Sequence, residues 1–204
     1  MVTPERLQSA GEFVEWLRQA VHEQSLPASN RNRASAGCFG IVQEHHHAIV
    51  LLAQNRLYAS SFSLVRVEFE AYIRGIWLSL CARDNEVEQF LSGSKPPKID
   101  LLLNAIEQTP GFSEKVLSGI KSNSWKAMCA YNHTGGLHIQ RWNTNEAVEP
   151  NYESSEVEEV LKFAELISAM SAIAIAQLAA DDTLAQQILE KTSNIIAQKP
   201  SDLA

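Results

Sequence analysis

The chain has 204 residues and a mass of 22.6 kDa, with 45% apolar and 20% charged residues, 9 glycines and 7 prolines. That length suits one domain with ample material for a continuous core, and the composition excludes wholesale disorder, collagen-like and low-complexity classes. A formal net charge of -7 with a pI near 5.4 argues against a general DNA coat or a basic membrane-surface protein, yet leaves room for a small basic pocket.

Helical signals run from the start. Thr3-Pro4-Glu5 combines a side-chain cap, a proline at the first helical position and an acid in the first turn. Phe13, Val14, Leu17 and Val21 recur behind it at helical spacing. This N-terminal helix, within residues 1–28, should stop before Pro27, because the residue preceding a proline avoids the α region. No basic start followed by an apolar run precedes it, so no signal peptide is expected. Residues 29–40 are polar, basic and rich in glycine and serine, and read as a mobile linker. The core bundle is then expected over 41–181 and a C-terminal helix over 182–204, all in a single all-α domain.

Within the core, Ile41 to Tyr58 reads as a helix with Ile41, Ala48, Ile49, Leu51 and Leu52 on its apolar side. The strongest amphipathic pattern follows, from Ser60 or Ser61 to about Ala82. There Phe62, Val65, Phe69, Tyr72, Ile73, Ile76, Trp77 and Leu80 keep the i, i+3, i+4 rule. Asp84 is placed to cap a short helix through Leu91, and Ser92 to Pro97 is a loop. Ile99 to Gln108 forms a short helix ended by Pro110-Gly111, and Ser113 opens another. Ser124 is placed to cap a further helix from Trp125 to Asn132, broken at Gly135-Gly136. Leu137 to Tyr152 reads as irregular. Ser154 or Ser155, with Glu156, Glu158 and Glu159 behind it, starts a long helix to about Ala180. Its apolar run, Leu166 to Ala180, is too short and too serine-bearing for a membrane span and reads as a buried helix. The last helix, Asp182 to Ala197, carries Leu184, Ile188, Leu189, Ile195 and Ile196.

Cys38, Cys81 and Cys129 are odd in number and widely spaced. That argues against a disulfide framework or a zinc site, and for reduced, buried thiols in a cytoplasmic protein. The run His45-His46-His47 does not make a metal site, because consecutive residues of a helix point to different faces. No metal and no cofactor is expected, and phosphate-loop, nucleophile-elbow and HExxH motifs are absent from the sequence.

Two places carry chemistry. Arg66, Glu70 and Arg74 fall at i, i+4, i+8 and so align along one helical stripe. The bland reading is a solvated ladder of ion pairs. The functional one offers arginine forks to phosphate or carboxylate, with Glu70 as neutraliser. The second place is Trp125 to Trp142. There Tyr131, Asn132, His133 and Thr134 meet a double glycine, and His138 and Arg141 follow. A histidine at a helix end can serve as general acid or base, and glycines let the backbone approach a ligand. Lys126 stands about two turns before His133 and is expected on its face. The bland reading here is a helix C-cap with Gly135 or Gly136 left-handed.

The stretch LVRVEFEAYIRGIWL (Leu64 to Leu78) followed by YNHTGGLHIQRW (Tyr131 to Trp142) resembles uncharacterised bacterial families of unknown function related to the HEPN superfamily, the higher-eukaryote and prokaryote nucleotide-binding domain. The resemblance implies a bundle of four or five core helices, commonly paired as a homodimer. It also implies metal-independent ribonuclease activity in toxin–antitoxin or phage-defence systems. The superfamily pattern is an arginine, a polar residue, and a histidine four to six residues after the arginine. This chain departs from it: Lys126 stands before His133, and Ala127 follows Lys126. In that reading His133 exchanges protons with the ribose or the leaving oxygen, and Lys126 or Arg66 stabilises phosphate charge. Arg74 shares that role, while Glu70, Tyr131, Asn132, Thr134, His138 and Arg141 line the ligand site. The alternative is a non-catalytic helical module that binds or inhibits a nucleotide, an anion or a cognate protein partner. A third reading is structural, with Arg66, Glu70 and His133 fixing helix register.

Overall fold

A computed structural model of the chain describes residues 2–197, and the remaining residues are left aside. The described residues form helices and connecting turns with no strand, so the protein is all-α. In chain order the helices are α1 (Pro4–Val21), α2 (Asn30–Gln54), α3 (Tyr58–Leu80), α4 (Asp84–Leu91), α5 (Ile99–Ile106), α6 (Val116–Asn132), α7 (Gly136–Gln140), α8 (Ser154–Leu178) and α9 (Asp182–Ala197).

The antiparallel pair α2 and α3 is the centre of the bundle. The short turn at Asn55–Leu57 joins them, and Ser61 Oγ donates to the Ile49 carbonyl across their interface at 3.0 Å. α8 packs on both, α1 lies against α2 and α8, and α9 covers α8. On the other side α5 and α6 pack on α3. The stripe read from the sequence of α3 is the one buried: Phe62, Val65, Phe69, Tyr72, Ile73, Ile76 and Trp77 face the interior, and only Leu80 emerges. The apolar run of α8 is likewise spent on the core, with Ile167, Ala169, Ala172, Ile175 and Ala176 buried within the chain. No helix among the described residues is long and apolar enough to cross a membrane.

The N-terminus follows the local rules. Thr3 Oγ1 accepts from the Arg6 amide at 3.2 Å, and Pro4 opens α1. The segment 29–40 does not. It is expected as a linker, but α2 begins at Asn30, with the Ser29 hydroxyl capping the Asn32 amide. Tertiary contacts explain the difference. Ala34, Cys38 and Phe39 are buried, and Arg31 donates to the Leu78 carbonyl at 2.7 Å and to Asp84 at 2.6 Å. Phe39 fits because α3 carries Gly75 opposite it: a Cβ there would come within 2.4 Å of the ring. Packing of this kind outweighs the roughly 1 kcal/mol that each of Gly37 and Gly40 costs in a helix.

Other boundaries shift for similar reasons. α6 is one helix rather than two, so Ser124 lies inside it instead of capping a start. α4 begins at Asp84 itself, with Arg83 as the cap. A short helix, α7, and an isolated bridge between Asn143 and Val148 occupy the stretch read as irregular. Cys38 is buried, whereas Cys81 and Cys129 are half-buried; all three are free thiols. On α9, Leu184 and Ile188 are buried and Leu189 is exposed. The side chain of Ile196, and residues 198–204 of the expected C-terminal helix, lie outside the described residues.

Charged groups also enter the core. Arg6 of α1 reaches α8, where its Nε meets Glu158 at 2.9 Å and its two terminal nitrogens meet the Glu165 oxygens at 2.8 and 2.9 Å. The Glu165 side chain is only 1% exposed. Burial pushes its carboxyl up and the Arg6 guanidinium pulls it back, with the balance on the raised side. Gln43 bridges to α8 through Ser168 and Ser171. Glu68 of α3 and His46 of α2 are wholly buried without a hydrogen-bond partner among the described residues. Desolvation holds the Glu68 carboxyl well above its ordinary range and pushes the His46 imidazole down to about 3.

Candidate functional site

The three charges of α3 meet as helical spacing requires. Arg66 Nε donates to Glu70 Oε1 at 2.8 Å, and Arg74 Nη2 donates to Glu70 Oε2. Both carboxylate oxygens are therefore engaged by two guanidinium groups one turn away on either side. The trio is half-buried: side-chain exposure is 21% for Arg66, 14% for Glu70 and 31% for Arg74.

The end of α6 is pinned beside this stripe. Ser63 Oγ donates to the Tyr131 carbonyl at 3.0 Å, and Asn132 Nδ2 donates to the Ser63 carbonyl at 3.2 Å. His133, the C-cap of α6, is thereby set against Arg66, with Arg66 Nη1 2.8 Å from His133 Nε2. A guanidinium can only donate, so Nε2 accepts and the ring proton sits on Nδ1. Arg66 is held from below as well, its Cζ lying 4.7 Å from the centroid of Trp125. Lys121 Nζ stands 4.9 Å from the same ring and pairs with Asp100 at 2.8 Å.

The chain leaves α6 through Thr134, which takes the left-handed conformation at φ 52° in place of the expected glycine. Gly135 has an extended backbone and is needed for a different reason. Its amide donates to the Ala130 carbonyl at 2.7 Å, and a Cβ would stand 3.0 Å from Ala130 Cα.

The expected site residues thus divide. Arg66, Glu70, Arg74 and His133 form one connected cluster, with Asn132 fixing its geometry and Thr134 exposed at the turn. Lys126 is exposed and makes no hydrogen bond or ion pair among the described residues. The cation beside His133 comes from α3 instead. His138 and Arg141 belong to a second, aromatic cluster. The Tyr131 ring stands edge-on to Phe62 and His138, with centroids 5.1 and 5.3 Å away, and Tyr152 packs on the same Phe62. Burial raises the Tyr131 phenol. Arg141 Nε lies 2.7 and 2.9 Å from the two oxygens of Glu156. His138 is buried, and neither ring nitrogen has a partner among the described residues.

Trp125 and Lys121 are the contributors that sequence reasoning passed over. Their signal was present as an i, i+4 cation–aromatic pair on α6. Ser63 gave none. Among the described residues no group of three or more histidines, cysteines, aspartates or glutamates is placed to hold a metal ion. Of the histidine run, His46 points inward, its ring edge-on to Phe13 with centroids 6.1 Å apart.

Residues 39–200 match the model of a protein family described as a family of unknown function, DUF6988. No curated protein and no solved structure matches the chain.

Proposed function

The chain belongs to the DUF6988 family of unknown function, and for it we propose a phosphate-binding role, with Arg66, Arg74 and His133 receiving a phosphate of RNA or of a nucleotide. One observation carries the reading: two arginines converge on a single carboxylate at a half-exposed surface. One net positive charge remains there, and most of the guanidinium N–H groups have no partner among the described residues. Arginine forks of this kind match phosphate geometry. The test is fluorescence anisotropy of a labelled single-stranded RNA at 50 and 200 mM salt. Wild type should bind and weaken with salt, and Arg66→Ala should not bind. Wild type that fails to bind overturns the proposal.

A second reading, metal-independent RNA cleavage, is favoured by the tautomer of His133. Its Nε2 lone pair points at Arg66. A phosphate that draws Nη1 away releases that lone pair to take the proton of a ribose 2′-hydroxyl. Arg66 then stabilises charge on the phosphate, the role the superfamily resemblance would give to a residue at the position of Lys126. A mixed RNA pool with metals chelated, exposed to wild type and His133→Ala, decides it. Equal or absent cleavage in both sinks the reading. The wider context we propose, namely a HEPN-like bundle, a homodimer, a cytoplasmic setting and a part in defence, rests on the resemblance of the two sequence motifs.

A further inference from the structure

We infer that Glu70 is a built-in anion that offsets one of the two guanidinium charges of this site and so weakens the advantage a doubly charged phosphate monoester would otherwise hold over a singly charged phosphodiester. The inference rests on the phosphate-binding reading above and adds its specificity. Glu70 occupies the place where two guanidinium groups converge, engaging Arg66 with one oxygen and Arg74 with the other. With Glu70 present the three side chains sum to one positive charge; without it they would sum to two. A diester phosphate carries one negative charge and so neutralises the cluster as it stands. A terminal phosphate brings close to two charges near neutral pH, and Glu70 offsets part of the attraction that the two arginines exert on each of them. One extra unit of charge at about 4 Å is worth roughly 1 kcal/mol per unit of ligand charge even in water. Removal of Glu70's charge therefore favours a dianion over a monoanion by about fivefold or more.

Glu70 is also out of reach of easy displacement. It sits on the same helix as both arginines, one turn from each, so neither can leave it without giving up an ion pair. The remaining donors of Arg66 and Arg74 point to an incoming group that binds beside Glu70 and does not replace it. Glu70 is a specificity-determining residue in this scheme and touches no reacting atom.

Titration calorimetry with two probes tests it: a dinucleoside monophosphate, which has one diester and no monoester, and the matching nucleoside 5′-monophosphate. Wild type sets the reference ratio of the two affinities. Glu70→Gln should shift the ratio toward the monophosphate by about fivefold or more. Glu70→Ala, which removes the charge without placing an amide between the arginines, should shift it in the same direction. Thermal melts of both variants verify folding. An unchanged ratio in folded variants overturns the role of Glu70 while phosphate binding stands. If no probe binds wild type or either variant, the phosphate-binding reading and this inference fall together.

Discussion

Two charge clusters invite comparison. One joins Arg6 to Glu158 and Glu165, with Lys162 also paired to Glu158; the other joins Glu70 to Arg66 and Arg74. The first balances two cations with two anions, links α1 to α8 across more than 150 residues of chain, and hides Glu165 almost completely. The second has two cations and one anion, lies on one helix, and stays within reach of solvent. A charge pair drawn into the core braces the fold, because losing one partner strands the other away from water. A cluster left partly open to solvent contributes less to stability than one sealed in the core and retains donors for a ligand. Burial, more than residue type, separates a clamp from a site.

The largest expected effect is on the clamp. Arg6→Met leaves Glu165 buried without its partner and should cost about 3–5 kcal/mol in chemical denaturation. A cost under about 1 kcal/mol would erase the distinction between the clusters.

Acid should act next, through His46, whose neutral form burial favours and which also feels the charge of Arg6. Its folded value, about 3, lies below the ordinary 6.5. The folded state therefore binds fewer protons than the unfolded one between these values. Stability is complete above about pH 6.5 and is lost as pH falls toward 3. Melts across this window should show wild type losing stability faster than His46→Leu as pH falls, the variant's profile being the flatter. Parallel profiles would show that the buried ring is not the sensor. Glu68 carries the opposite sign. Its raised carboxyl lends stability that is present below about 4.5 and lost as pH rises through the folded value. Glu68→Gln should therefore gain on wild type toward alkaline pH.

The smallest stability effect belongs to the α3 cluster. Arg66→Ala should cost about 1–2 kcal/mol, less than Arg6→Met, while abolishing RNA capture. A cost equal to that of Arg6→Met would instead make Arg66, Glu70 and His133 a register-fixing network.

The two clusters also differ in how far the sequence discloses them. The α3 triad is readable because helical spacing alone brings i, i+4 and i+8 together. The same rule gave the buried face of α3, and the cap rule gave the start of α1 at Thr3-Pro4. Arg6 with Glu165 is invisible in the sequence, since nothing local says which acid a first-turn arginine will meet. The contact between Arg66 and His133 is intermediate. Each residue stood out by itself, but their meeting depends on Ser63, an unremarkable serine that ties α3 to the end of α6. Counting turns puts Lys126 beside His133, yet the cation there arrives from another helix. The helix at 30–40 is hidden in the sequence because its glycines and serines signal a loop, while what holds it, Phe39 seated on Gly75, is a fact of three dimensions.

The indole beneath Arg66 has an optical consequence. Trp125 is one of 4 tryptophans, and two cations stand within 5 Å of its ring centroid. An anion that pulls the guanidinium off that ring changes the electric field along the indole and shifts its emission, while Trp16, Trp77 and Trp142 supply a constant background. With those three replaced by phenylalanine, the protein would report occupancy of its own site through intrinsic fluorescence, with no label attached.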